Sequence, residues 1–525
     1  MVRGVNSSVV AACIAVATIA LPAGSKGAAP SAHSAIAWQV ASSDAEVDRA
    51  FALARQSGKP VFLYWGAVWC PPCNQVKATL FSRPDFVERT RAFVPVYVDG
   101  DKPGAQKVAA RFKVSGYPTM VLFKPDGSEI TRLPGEVDPE RYLLTLNAGL
   151  NADVPVKDLA TRALSHQPLT PEQWRLLAFY SWDTDDQQMF KTSELAPRLS
   201  ELANAAPASA GPAKDRLMLK AIAARAKDGG KSVDERTRAT DRTMIDKVLA
   251  TPESVREQWD FVVFFAEPIV KYLAPAPDAR ADLARKWDAS LQQLLAGGTL
   301  SRSDSVDALD ARVDLWKAID KTGKLSTERQ QAARGELMRV VAQSTDRYER
   351  QAVVPSAAHV LASVGLVKES DEMLKAELPR AVAPYYHMLV LASNAKERGD
   401  KAEALHWYEQ AWRKSEGPAT RIQWGSGYVR QLVELAPQDS NRISLAAAAV
   451  MTGLEPRGET FFERNQRSLQ KMAAQLQKWQ GADPARVKVV AKLKDQLSRT
   501  CGKLPAKDAG RANCESVFNA SKSDA

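Results

Sequence analysis

Cys70 and Cys73, two residues apart within Trp69-Cys70-Pro71-Pro72-Cys73, are the side chains whose type and spacing most directly specify chemistry. A pair so placed at a helix start can close a small disulfide that opens and re-forms by exchange. Unpaired backbone N–H groups and the positive end of the helix dipole stabilise the first thiolate there. The apolar run Pro60-Val61-Phe62-Leu63-Tyr64-Trp65 reads as a buried strand delivering the chain to the pair. Strand, accessible sulfur, helix and a resolving thiol one turn on meet the requirements of thiol–disulfide exchange. A second motif, Gly116-Tyr117-Pro118-Thr119, follows downstream.

Two blander readings compete for the pair. A two-residue loop is too short and strained to be a common inert staple. A zinc half-site would need two further Cys or His ligands, and His166, His359, His387 and His406 are scattered outside the region around Cys70. Neither a metal nor a cofactor is expected, since no phosphate-cradling glycine loop and no nucleophile elbow occurs.

The elements that must position the cysteines follow from local pattern. Ser43 and Asp44 can cap a helix through Arg55, ended by Gly58-Lys59-Pro60. Cys70 to Leu80 is the helix carrying the pair, and Pro84 opens a short second one. Val94 to Asp99 is the next strand, and Asp101 is expected to cap a helix that Pro103 enters. Met120–Phe123 and Glu129–Leu133 flank Asp126-Gly127, a hairpin signal. Asp138-Pro139-Glu140 starts a closing helix, giving the order β-α-β-α-β-α-β-β-α.

Beyond Leu150 strand signals nearly vanish. Thr170-Pro171-Glu172 opens a helix, and Val306, Leu309, Val313 and Trp316 share one helical face, as do Val490, Leu493 and Leu497. Ala392, Gly399, Ala404, Tyr408 and Ala411 fall at tetratricopeptide spacing, with no clean series around them, which favours an irregular α-solenoid over an unrelated bundle. Most tryptophans here read as core, while Trp424-Gly425-Ser426-Gly427-Tyr428 breaks helical periodicity and could lie on a groove. The fold class is therefore α/β plus all-α. Its divisions are a signal peptide at 1–23, a flexible lead-in at 24–37, an α/β domain at 38–150, a linker at 151–169 and helices at 170–525.

Arg3 and the apolar run Val9–Leu21 read as a secretory signal, with cleavage between 23 and 37. Cys13 lies inside that run, which disfavours a lipoprotein box. The other four cysteines pair locally as Cys70/Cys73 and Cys501/Cys514, an even count that suits an oxidising compartment such as the periplasm. Cys501 and Cys514 flank turn-formers and are expected to form a structural disulfide, ahead of a second redox pair. Hydrophobic content of 45% and charge of 25% exclude long disorder. The surplus of 71 basic over 61 acidic residues is spread out, which argues against nucleic acid as a partner. No later stretch reaches the length of a membrane span.

Residues 40–150 resemble the thioredoxin superfamily, and most of all its periplasmic members such as the C-terminal domain of the disulfide reductase DsbD. The likeness rests on Gly58-Lys59-Pro60-Val61, Trp69-Cys70-Pro71-Pro72-Cys73, Phe81-Ser82-Arg83-Pro84 and Gly116-Tyr117-Pro118-Thr119. It implies a thioredoxin fold with Cys70 as nucleophile and Cys73 as the more buried resolving thiol. Trp69, Pro71, Pro72, Tyr117 and Pro118 are implied to support the site, with Pro118 cis. Two departures stand out. Tyr64 occupies the place of the usual buried carboxylate, and Pro95 that of its lysine partner, which leaves Asp99 and Tyr97 as weak substitutes for moving the proton.

The resulting expectation is an exported thiol–disulfide oxidoreductase, reductase or isomerase rather than oxidase. Its partners would be proteins bearing cysteines or disulfides and an upstream thiol reductant or oxidant, with the helices binding protein. The alternative is an α-solenoid scaffold or chaperone whose α/β domain mainly docks partners.

Overall fold

The computed structural model describes residues 36–519, apart from 136–137, 183, 186–187, 232 and 321–324. The expected signal at 1–23, with Cys13, and nearly all of the lead-in lie outside the described residues. From Ile36 onward the chain is one compact unit rather than separate bodies.

The first part runs β1 (Gln39–Ala41), α1 (Asp44–Ser57), β2 (Val61–Gly66), α2 (Pro71–Thr79), α3 (Pro84–Arg89), β3 (Val94–Asp99), α4 (Ala105–Arg111), β4 (Thr119–Phe123), β5 (Glu129–Leu133) and α5 (Pro139–Leu150). The sheet order is β1-β3-β2-β4-β5, with β1, β3 and β2 parallel and β4 and β5 antiparallel. As the middle strand, β2 is buried along its whole length, which explains its unbroken apolar run. Its side chains alternate between faces. Val61, Leu63 and Trp65 pack with Val47, Phe51 and Ala54 of α1 and Val108 of α4. Phe62 and Tyr64 face the other way, into the cluster that holds Cys70 and Cys73.

Local signals set the element ends. The Ser43 hydroxyl accepts the Glu46 N–H at the start of α1, and Gly58 ends it at φ +67°. Asp126 accepts the Ser128 N–H in the β4–β5 turn, where Gly127 takes φ +93°. One expected cap fails. Asp101 caps nothing; α4 begins instead at Gly104, at φ +82°, where a Cβ would meet the Ser42 carbonyl oxygen at 2.5 Å.

Twenty α-helices follow Leu150 among the described residues, and no strand follows Leu133. The expected linker at 151–169 is a packed piece of this region. It holds the helix Val156–Leu164, whose Val156, Leu159, Ala160 and Ala163 are buried against the helix Pro171–Ala178. The helices Pro384–Glu397 and Lys401–Lys414 form a hairpin turned at Gly399, φ +78°, and Asp400, with Ala392, Ala404 and Ala411 fully buried between neighbours. Residues 424–428, which break helical periodicity in the sequence, lie inside the helix Pro418–Leu435. Gly425 is needed there because a Cβ would meet the Trp412 ring nitrogen at 2.6 Å. Among the described residues no helix is long and apolar enough to cross a membrane.

Candidate active site

Cys70 is the N-cap of α2, with Pro71 and Pro72 in the first turn, where a missing N–H breaks no helical bond. Its sulfur is bonded to that of Cys73 and also accepts the Cys73 N–H at 3.2 Å. This donor and the dipole end of α2 are the groups placed to stabilise negative charge on a Cys70 sulfur. Asn74, which sequence reasoning passed over, pins the loop. Its side-chain N–H group donates to the carbonyls of Val68 and Cys70, both at 2.8 Å. The Tyr117–Pro118 bond is cis. The Tyr117 ring meets Trp69 edge-on at 5.7 Å, and its hydroxyl accepts from Gln106 at 3.1 Å.

The sequence promised an accessible sulfur, and the structure withholds it. Cys70 is 2% exposed, Cys73 0% and Trp69 8%. The cover comes from the helical region. The helix Arg347–Ser363 packs along α2. From it the Gln351 amide N–H donates to the Trp69 carbonyl at 3.4 Å, while its carbonyl accepts the Ala383 N–H at 3.0 Å. Tyr386 stacks on Trp69 at 5.9 Å and Trp424 meets it edge-on at 4.8 Å. The Arg464 guanidinium lies over Trp69 and Tyr117, 5.6 and 4.8 Å from their ring centres. Ala383, Tyr385, Met388 and Trp424 share one apolar cluster with both cysteines.

Asp101 ties the two parts together. One of its oxygens accepts the Trp69 indole N–H at 3.2 Å and the Thr420 hydroxyl, while the other oxygen has no partner among the described residues. Burial pushes its carboxyl up to about 6, against the pull of the Thr420 and Trp69 hydrogen bonds. Nearby, Gln75 of α2 donates to Asp304 at 2.5 Å, and burial raises that carboxyl to about 6 as well.

The two substitutes for a proton carrier separate. Tyr97 is pushed far above its ordinary range by burial, as is Tyr64, whose hydroxyl has no hydrogen-bond partner among the described residues. Neither can act as a base near neutrality. Asp99 is raised by burial, and Lys77 is lowered by burial. Cys501 and Cys514 lie far along the chain, bonded to each other with Cα atoms 5.7 Å apart and both side chains buried. Among the described residues no group of three or more His, Cys, Asp or Glu could hold a metal ion.

The profile described as a thioredoxin-like domain matches residues 47–150. The thiol:disulfide interchange protein DsbD 2 of Pseudomonas aeruginosa is 31% identical over 125 residues, 23% of this chain and 21% of that protein. DsbD of Klebsiella pneumoniae is 35% identical over 111 residues, 20% of this chain and 18% of that protein. The chain thus spans about a fifth of the length of these relatives. The solution structure of a thioredoxin from Thermus thermophilus is 33% identical, with 19% of this chain and 80% of that one covered and a TM-score of 0.18. Profile, relatives, sheet order and the cysteine pair at the start of α2 agree: residues 47–150 of this chain are a thioredoxin-like domain of the thioredoxin superfamily.

Proposed function

We propose that the protein is an exported thiol–disulfide oxidoreductase that acts on protein disulfides through Cys70 and Cys73. The observation that carries this is the Cys70 sulfur at the N-terminus of α2, receiving the Cys73 N–H and bonded to the Cys73 sulfur. In the reduced protein the Cys70 thiolate attacks one sulfur of a substrate disulfide. That S–S bond breaks, and one substrate sulfur leaves as thiolate. The Cys73 thiolate then attacks the Cys70 sulfur and releases the second substrate sulfur. Two electrons pass from the protein dithiol to the substrate, and an upstream thiol reductant restores them. Similarity to proteins named for thiol:disulfide interchange supports exchange chemistry, and the direction proposed is that of a reductase or isomerase. A periplasmic site and a signal at 1–23 accord with the cysteine pairing.

Trp69, Pro71, Pro72, Tyr117 and Pro118 serve as supports of the pair, and Cys501–Cys514 as a structural bridge. The helices take the role of an irregular solenoid that meets protein partners. A second reading, an α-solenoid scaffold or chaperone whose thioredoxin-like domain mainly docks partners, draws on one observation: both cysteines are covered by the chain's own helices. Trapping tests the first reading. Cys73→Ala should hold substrates on Cys70 as mixed disulfides that a reductant releases, and a chain that traps nothing leaves the scaffold reading standing.

A further inference from the structure

We propose that the helices between Arg347 and Gln480 form a cap that holds the Cys70–Cys73 site closed, and that exchange runs only from a form in which this cap has lifted off Trp69. The inference rests on the exchange reading above. Exchange needs an attacking sulfur to reach one sulfur of the pair, and the mixed disulfide needs space for the partner chain. Neither fits a Cys70 that is 2% exposed beneath Trp69, Tyr386 and Trp424.

The seam mixes an apolar cluster shared by site and helices with polar contacts. Its hold on Trp69 combines the aromatic contacts of Tyr386 and Trp424 with three directional ones: Gln351 on the Trp69 carbonyl, Thr420 on Asp101, and Arg464 over the Trp69 and Tyr117 rings. It also leaves polar atoms without partners. The second oxygen of Asp101 and the indole nitrogen of Trp424 are both buried, with no hydrogen-bond partner among the described residues. Opening hydrates them, so the closed form gains less from burial than an apolar seam of the same extent would. Contact at one point is especially close. Gly417, at φ +83° just before the helix Pro418–Leu435, lies so near that a Cβ there would meet the Asp101 Cβ at 2.7 Å. A methyl group at 417 is thus a wedge between cap and site.

A substrate or reductant reaches Cys70 only if it displaces the cap or waits for it to lift. Specificity then lies partly in the seam, because a productive partner must offer Trp69 and Tyr117 a replacement for the cap's aromatic and cationic contacts.

The test is the rate at which dithiothreitol reduces Cys70–Cys73 in the full chain, read by alkylation of Cys70 and mass spectrometry. The wild-type chain should react at least tenfold more slowly than oxidised glutathione under the same conditions. Two independent cap variants, Thr420→Val with Gln351→Ala, and Gly417→Ala, should each react at least tenfold faster than wild type. Far-UV circular dichroism and the persistence of Cys501–Cys514 report that they remain folded. A wild-type chain that reacts as fast as oxidised glutathione overturns the proposal. So does either variant, if folded, that reacts at the wild-type rate. The exchange reading fails separately, if neither wild type nor an opened variant transfers electrons from dithiothreitol to insulin disulfides.

Discussion

The indole nitrogen of Trp69 lies 3.2 Å from the hydroxyl of Thr420, 351 residues further along the chain, and both donate to the same oxygen of Asp101. The residue before Cys70 is thereby fixed by a helix of the distant region. Under the proposed exchange chemistry, access to Cys70 and the packing of the helices are therefore one mechanical problem.

Chemistry comes first among the expected outcomes. Cys70→Ser should reduce dithiothreitol-driven reduction of insulin disulfides to the uncatalysed rate, because the thiolate is the attacking group. Activity that survives in that variant would place the nucleophile elsewhere. The fold should survive the change, since the Cys501–Cys514 bridge and the sheet are untouched by it.

Much of the site could be read from the sequence because its signals are local. The run Val61–Gly66 is apolar because β2 is central, Ser43 and Gly58 bound α1 through short-range hydrogen bonds and a positive φ, and Cys70 caps α2. What escaped was tertiary. By local rules Asp101 is a helix cap, but its carboxylate is claimed by Trp69 and Thr420, and Gly104 starts α4 instead. Glycines at 425 and 427 read as a break, yet within a long packed helix Gly425 makes room for Trp412. The burial of Cys70 left no local trace, since Gln351, Tyr386, Trp424 and Arg464 reach the adjacent Trp69 only through the packing of distant helices.

A second outcome concerns Tyr64. Its buried, unpartnered hydroxyl cannot take a proton near neutrality. Tyr64→Asp should place a carboxyl in the cluster that holds Cys73 and speed the decay of a mixed disulfide on Cys70. The gain comes with a loss of roughly 4 kcal/mol in stability, from the missing ring and the buried carboxyl. Stopped-flow quenching and urea unfolding read the two effects. An unchanged decay rate would show that another group, with Asp99 first in line, already carries the proton.

Asp101 predicts a pH dependence with a definite sign. Burial raises its carboxyl to about 6 in the folded chain, opposed by Thr420, Trp69 and Arg464 and reinforced by Asp99. Between the ordinary carboxylate range and about 6, the folded chain therefore binds more protons than the unfolded one. Stability from this group is present below that window and is lost as pH rises through it, by at most roughly 3 kcal/mol. Asp304, raised to about 6 by burial, acts in the same direction. Asp101→Asn keeps an acceptor for Trp69 and removes the charge. Urea midpoints at pH 4.5, 5.5 and 7 should thus fall less steeply in the variant than in wild type. Parallel curves would mean that Asp101 does not carry this charge cost.

Cys501 and Cys514 present the last expected outcome. Cys501 ends the helix Pro484–Cys501 and Cys514 lies in Ala509–Ser516, both facing the apolar cluster of Leu493, Leu497 and Phe518. This pair has no strand delivering it to a helix N-terminus, and neither cysteine caps a helix start, so nothing there activates a thiolate as at Cys70. A bridge across a sequence separation of 13 should stabilise the chain by roughly 3 kcal/mol in the chain-entropy model. In a dithiol redox titration it should stay closed at potentials that fully reduce Cys70–Cys73. Replacing both residues with serine should lower the melting temperature and leave insulin reduction unchanged. If turnover stops while melting is unaltered, the bridge is instead a relay that feeds electrons to Cys70–Cys73.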